Sequence, residues 1–143
     1  MKAFPLLTVA LAVLAAVAQA ADQRQFVQLP QMMRDHMMHN MRDHLLALQT
    51  ITRQLADGEY DAAADTAEQR LGMSAMQRHG AAHMAPYMPG GMRAAGTAMH
   101  RAASRFAVAA RDASVDGEPS KAFGALSDVM AACVACHSAY RVH

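Results

Sequence analysis

The sequence predicts an all-α fold, an up-down-up-down antiparallel four-helix bundle, and three observations lead there. The 143 residues are 53% hydrophobic but only 5% aromatic, with no Trp and an alanine-rich balance that suits closely packed helices. Val and Ile runs of period two, the mark of half-buried strands, are absent. Gly and Pro punctuation divides the chain into four stretches, each long enough for a helix. Two cysteines are too few for a disulfide scaffold of this size, and the 13 methionines and 8 histidines are in excess and call for an explanation.

Residues 1–20 read as a cleaved secretory signal peptide. Lys2 precedes an apolar stretch from Phe4 to Val17, and Ala18, Gln19 and Ala20 put small residues where signal peptidase requires them. The stretch is short for a membrane span, and no other segment reaches about 18 uninterrupted apolar residues. The expected domain is therefore residues 21–143, exported to the periplasm, with no membrane span after cleavage. Removing Lys2 from the 13 cations leaves twelve against 12 anions, a near-neutral balance that excludes a strong field for nucleic acid.

The first helix is expected from about Gln23 to Ala56, stopped by Asp57 and Gly58, a left-handed stop signal. At 100° per residue, Met33, Met37, Met41, His44, Leu48, Ile51 and Leu55 fall within about 80° of one another, and Arg42, Asp43 and Arg53 lie opposite. The second helix is expected from about Tyr60 to Arg78, before a turn-rich segment from Gly80 to Gly91. The third is expected from about Met92 to Ala113. Ser114 to Glu118 reads as a loop, and Pro119 is suited to open the fourth helix, which reaches nearly to the C-terminus. Short connections make neighbouring helices antiparallel, which sets the N-terminal half of the first beside the C-terminal half of the fourth.

The fourth helix carries Cys133-Val134-Ala135-Cys136-His137, the C-x-x-C-H pattern of covalent haem c attachment. Cysteines three apart share a helical face, so both sulfurs reach the two vinyl groups of one porphyrin. His137 then offers its imidazole to the iron as the proximal ligand. Phe123, Leu126, Met130, Cys133, His137 and Tyr140 recur at spacings of three and four, which predicts that they form the haem side of this helix. A thioredoxin-like redox pair would open a helix after a strand, and a structural zinc site would want four ligands; neither context is present.

In addition to this motif, Ala122-Phe123-Gly124, Ala131-Ala132-Cys133 through His137, and Tyr140-Arg141 resemble the last helix of the class II cytochromes c, the cytochrome c′ family. Leu55 with Gly58-Glu59-Tyr60-Asp61-Ala62-Ala63 resembles that family's junction between its first two helices. The resemblance spans the mature chain, strongest in the last quarter and weakest between Met73 and His100. It implies one haem held between the first and fourth helices, with a first-helix residue facing the iron opposite His137. Counted from the Leu55 and Gly58 landmarks, that residue is Met41.

A thioether at this position closes the iron and raises its potential, which suits electron transfer. Met37 or another nearby methionine, His44 and an open site are the alternatives to Met41. By the same resemblance Arg141 lies near His137 and the haem. The resulting expectation is a periplasmic monohaem electron carrier, not an enzyme, that docks on a redox partner protein; family members often form homodimers.

Two other functions compete with this one. An open iron would make the chain a five-coordinate binder of NO or CO. The Met and His excess would suit a copper-binding protein: Met-Arg-Asp-His occurs at Met33 to His36 and again at Met41 to His44, His36, His39 and Asp43 group on the solvent side of the first helix, and Met76, His79 and His83 align if the second helix continues past Gly80. His79 and His83 are the residues to replace in a copper test.

Overall fold

The computed structural model describes residues 22–143, so the signal-peptide reading of residues 1–20 lies outside the described residues. The chain is mostly helical. Its elements are β1 (Gln25–Phe26), α1 (Gln31–Ala56), α2 (Tyr60–Arg70), α3 (Ala81–Met84), α4 (Gly90–Asp116), α5 (Pro119–Ala139) and β2 (Tyr140–Arg141), with 3-10 turns at Met73–Ala75 and Ala85–Tyr87.

The ends of α1 show which signals dominate. Pro30 lacks a backbone N–H and is its N-cap, so the helix begins at Gln31 and not at about Gln23. The residues before it are extended instead, and Gln25 and Phe26 pair in parallel with Tyr140 and Arg141. At the other end Asp57 caps the helix and Gly58 takes φ +78°, the left-handed conformation expected there. Met33, Ile51 and Leu55 of the predicted face are buried, with Met37, Met41, His44 and Leu48 partly buried between them.

The second predicted helix ends early. α2 stops at Arg70, and residues 71–89 form short helical turns. Gly72 approaches Glu68 so closely that a Cβ there would lie 2.8 Å from the Glu68 carbonyl oxygen, and Gly80 takes φ +62°. Gly72 turns the chain inside the expected helix, and Gly80 does so where the turn-rich segment was expected to begin. α4 starts at Gly90 after Pro89 and runs through the predicted loop to Asp116, ended by Gly117 at φ +73°. Pro119 opens α5 as predicted.

Small side chains hold the long helices together. Ala47, Ala63, Ala64, Ala67, Ala103 and Ala110 are fully buried, and Phe106, Ile51, Leu71 and Val129 are the largest side chains with essentially no exposure. This cluster joins α1, α2, α4 and α5. α2 packs on both α1 and α4, and α4 on α5, whereas α1 and α5 make little direct contact. A second apolar cluster, with Val27, Leu29, Met33, Met84, Met92 and Val142, fills the space near β1 and β2.

The predicted stripe of α5 is displaced in phase. Ala122, Leu126 and Val129 are buried, with Cys133 packed beside them, whereas Phe123 and Met130 are about half exposed at 49% and 46%. The face is set by packing against α4, which contributes Ala103, Ala107 and Ala110 to the same core cluster as Ala122 and Val129. α5 is also long enough and apolar enough, at a mean hydropathy of 1.3 over 18 residues, to cross a membrane by length and composition. Here it lies along α4 and contributes its C-terminal turns to a cavity.

Candidate functional site

A cavity of about 740 Å³ opens between α1, α4, α5 and the segment 71–89. Its size lies within the range of small-molecule and cofactor sites. Cys133, Cys136 and His137 line it from α5; Met37, Met41 and His44 line it from α1. Tyr140 and Arg141 of β2 complete the α5 side. The structure therefore gathers the motif residues and Met41 around one space, although they lie about a hundred residues apart.

Both cysteines are free thiols and partly buried, and burial pushes each thiol up from its ordinary value. Neither sulfur is engaged elsewhere in a disulfide, so both remain available on the wall. Eight of the 13 methionines line the same space: Met37, Met38, Met41, Met76, Met84, Met88, Met92 and Met99. Unbranched thioethers fit an irregular apolar wall, which gives the methionine excess a location.

The C-terminal end of α5 is held by the N-terminal arm. Besides the β1 to β2 pairing, Val27 donates its N–H to the Arg141 carbonyl at 2.8 Å, and the Arg24 guanidinium donates to the His137 carbonyl at 3.5 Å. The Arg141 guanidinium stands 4.9 Å over the Phe26 ring and 3.5 Å from the Asp22 carboxylate. Arg141 thus reaches the cavity through its lining contact while its charge is engaged with the arm.

A feature that sequence reasoning missed lines the same cavity. His44 of α1, His79 of the 71–80 segment and His100 of α4 form a cluster, with ring centroids 4.6, 5.5 and 6.1 Å apart. His79 and His100 are 6% and 7% exposed. His44 Nε2 and His79 Nδ1 are 3.3 Å apart. The backbone carbonyl of His79 accepts from Asn40 at 3.0 Å and is 2.9 Å from His36 Nε2. A Cβ at Gly80 would sit 2.9 Å from that His36 nitrogen, so the glycine admits this contact as well as the left-handed turn. The two Met-Arg-Asp-His repeats therefore converge, their histidines meeting the same residue, His79.

The other expected group has a partial counterpart. His36, His39 and Asp43 line a smaller cavity of about 390 Å³ with Arg70 and Arg78, and Asp43 is paired with Arg70. The Arg70 guanidinium holds the Asp43 carboxyl below its usual range. The proposed pairing of His79 with His83 does not form in this way: Gly80 breaks the helical register between them, and His83 is exposed and lines neither cavity.

Burial pushes the His44 imidazole down to about 4, with His79 and His100 adding to the effect and Asp43 opposing it. His79 is lowered chiefly by burial too. An unfolded histidine titrates near 6.5, so between pH 6.5 and about 4 the unfolded chain binds more protons than the folded one at His44. The stability contributed by keeping this ring neutral is full above pH 6.5 and is lost as the pH falls toward 4. We expect a loss on the order of 2–3 kcal/mol across that window from His44. Thermal unfolding at a series of pH values should show it, and His44→Leu should flatten the slope; an equally steep slope in the variant would contradict the assignment.

No protein-family model, curated protein or solved structure was found to match the chain.

Proposed function

We propose that the chain is a periplasmic monohaem c-type cytochrome of the cytochrome c′ type, a carrier of single electrons that turns over no substrate. The observation that carries this reading is the placement of Cys133, Cys136 and His137 on one wall of an apolar cavity, with Met41 on another. The order of packing along the chain, α1 on α2, α2 on α4 and α4 on α5, supports an up-down-up-down antiparallel bundle opened at the cavity.

The residues fit the group they would hold. Two free thiols three positions apart on a helix are the attachment chemistry of haem c, and His137, next in the chain, would offer its imidazole to the iron. Haem c supplies a one-electron iron couple when bound. Met41 would hold the iron through a soft thioether, a ligand that favours the reduced metal. The methionine-rich wall excludes water, and the N-terminal arm keeps the end of α5, and with it His137, in place. The near-neutral charge offers little long-range steering, so a redox partner would dock by local contacts around the cavity mouth.

Absorption spectra of the purified holoprotein, ferric and ferrous, with and without CO, test this function. A low-spin spectrum in both states that ignores CO is the expected result. A high-spin wild type that binds CO would replace the carrier with a gas-binding protein.

A further inference from the structure

The polar groups of the histidine cluster exceed what packing requires. His100 Nδ1 faces the carbonyls of Leu71 and Gly72 at 2.7 and 3.2 Å, which places its proton on Nδ1 and fixes the ring as part of the α4 wall. His79 Nε2 is buried with no hydrogen-bond partner. Its other nitrogen, Nδ1, is the one that faces His44, and that pair of nitrogens is the candidate for a shared ligand.

The separation of His44 Nε2 and His79 Nδ1, 3.3 Å, is long beside the usual N–H donor distance of about 2.9–3.0 Å. Two nitrogens each bonded at about 2.0–2.1 Å to one ion lie roughly 3.3–3.6 Å apart over the range from tetrahedral to trigonal angles, and 3.3 Å is at the short end of it. The two imidazoles come from different elements, α1 and the 71–80 segment, so the bite is made by the fold and not by local sequence.

The ion is selected by what accompanies them. Among the described residues no three His, Cys, Asp or Glu side chains are grouped to hold a metal ion, so a divalent ion that needs three or four such ligands is not served here. Thioethers are plentiful on the same cavity wall, including Met76, in the segment that carries His79, and Met99, beside His100. Two imidazoles and a thioether are a soft ligand set that suits monovalent copper. We propose that His44 and His79, completed by the thioether of Met76 or Met99, bind one Cu(I) ion on the cavity wall. The site uses neither cysteine nor His137, but it lines the same cavity as they do and includes His44, so the test is run on protein whose haem content is known.

The test is competition for Cu(I) between a chromophoric Cu(I) chelator and the purified full-length mature protein, reduced and under anaerobic conditions. The wild type should withdraw one equivalent of Cu(I). His44→Phe with His79→Phe, and separately Met76→Leu with Met99→Leu, should each weaken binding at least tenfold, while His83→Ala leaves it unchanged. The methionine variant preserves apolar volume, so it remains informative if the histidine variant fails to fold. X-ray absorption of the copper-loaded wild type should show both nitrogen and sulfur around the ion. Failure of the wild type to take copper from the chelator, undiminished binding by the methionine variant, or a shell without sulfur would overturn the proposal.

Discussion

Replacing Cys133 and Cys136 together with Ala yields a chain that carries no covalently bound haem, even when exported in a host that attaches haem c. The two sulfurs occupy positions i and i+3 on the last turns of α5 and both line the cavity, so in the proposed cytochrome each would form one thioether. Either single variant should keep one link and still retain haem through denaturation and solvent extraction, whereas the double variant should release all of it. His137 remains in the double variant, so any haem it keeps is held by coordination alone and extracts completely. Haem staining after denaturing electrophoresis checks the outcome. Covalent haem in the double variant would show that attachment does not use this motif.

Met41→Ala has the second largest expected effect. Met41 sits on the α1 wall in the middle of the predicted face, partly buried and lining the cavity that Cys133, Cys136 and His137 line from α5. Removing its thioether while keeping the helix, for which Ala is the best former, would in the proposed cytochrome free the iron of this ligand without disturbing the backbone. The holoprotein should change from low spin to high spin in both oxidation states, bind CO where the wild type does not, and move to a lower reduction potential. His44 and Met37 line the same cavity and serve as controls. If His44→Ala or Met37→Ala produces the spin change and Met41→Ala does not, the ligand is the residue whose removal opens the iron.

Local signals in the sequence were read with most success. The stop at Gly58, the start at Pro119 and the buried face of α1 follow from backbone sterics and helical period, which act within a few residues. The early end of α2 was missed because Gly72 matters through its contact with Glu68, and a glycine in a helical pattern does not announce such a contact. The β1 to β2 pairing was missed because two residues at opposite ends of the chain carry no alternation to read. That Cys133, Cys136, His137 and Met41 share one cavity was legible from the C-x-x-C-H motif and, for Met41, from the family resemblance with which the helical phase agrees. The histidine cluster was not, since His44, His79 and His100 come from three elements and meet only once the 71–80 segment folds back over α1. The one available clue was the repeated Met-Arg-Asp-His, eight residues apart and hence on one side of α1, whose histidines both meet His79.

The intact mass of the protein purified from the periplasm of a host competent for haem c attachment tests the central claim most directly. The account predicts the mass of residues 21–143 plus one haem, retained under denaturing conditions. A chain of that length at its bare polypeptide mass, from a host that loads a known cytochrome c in parallel, would contradict it.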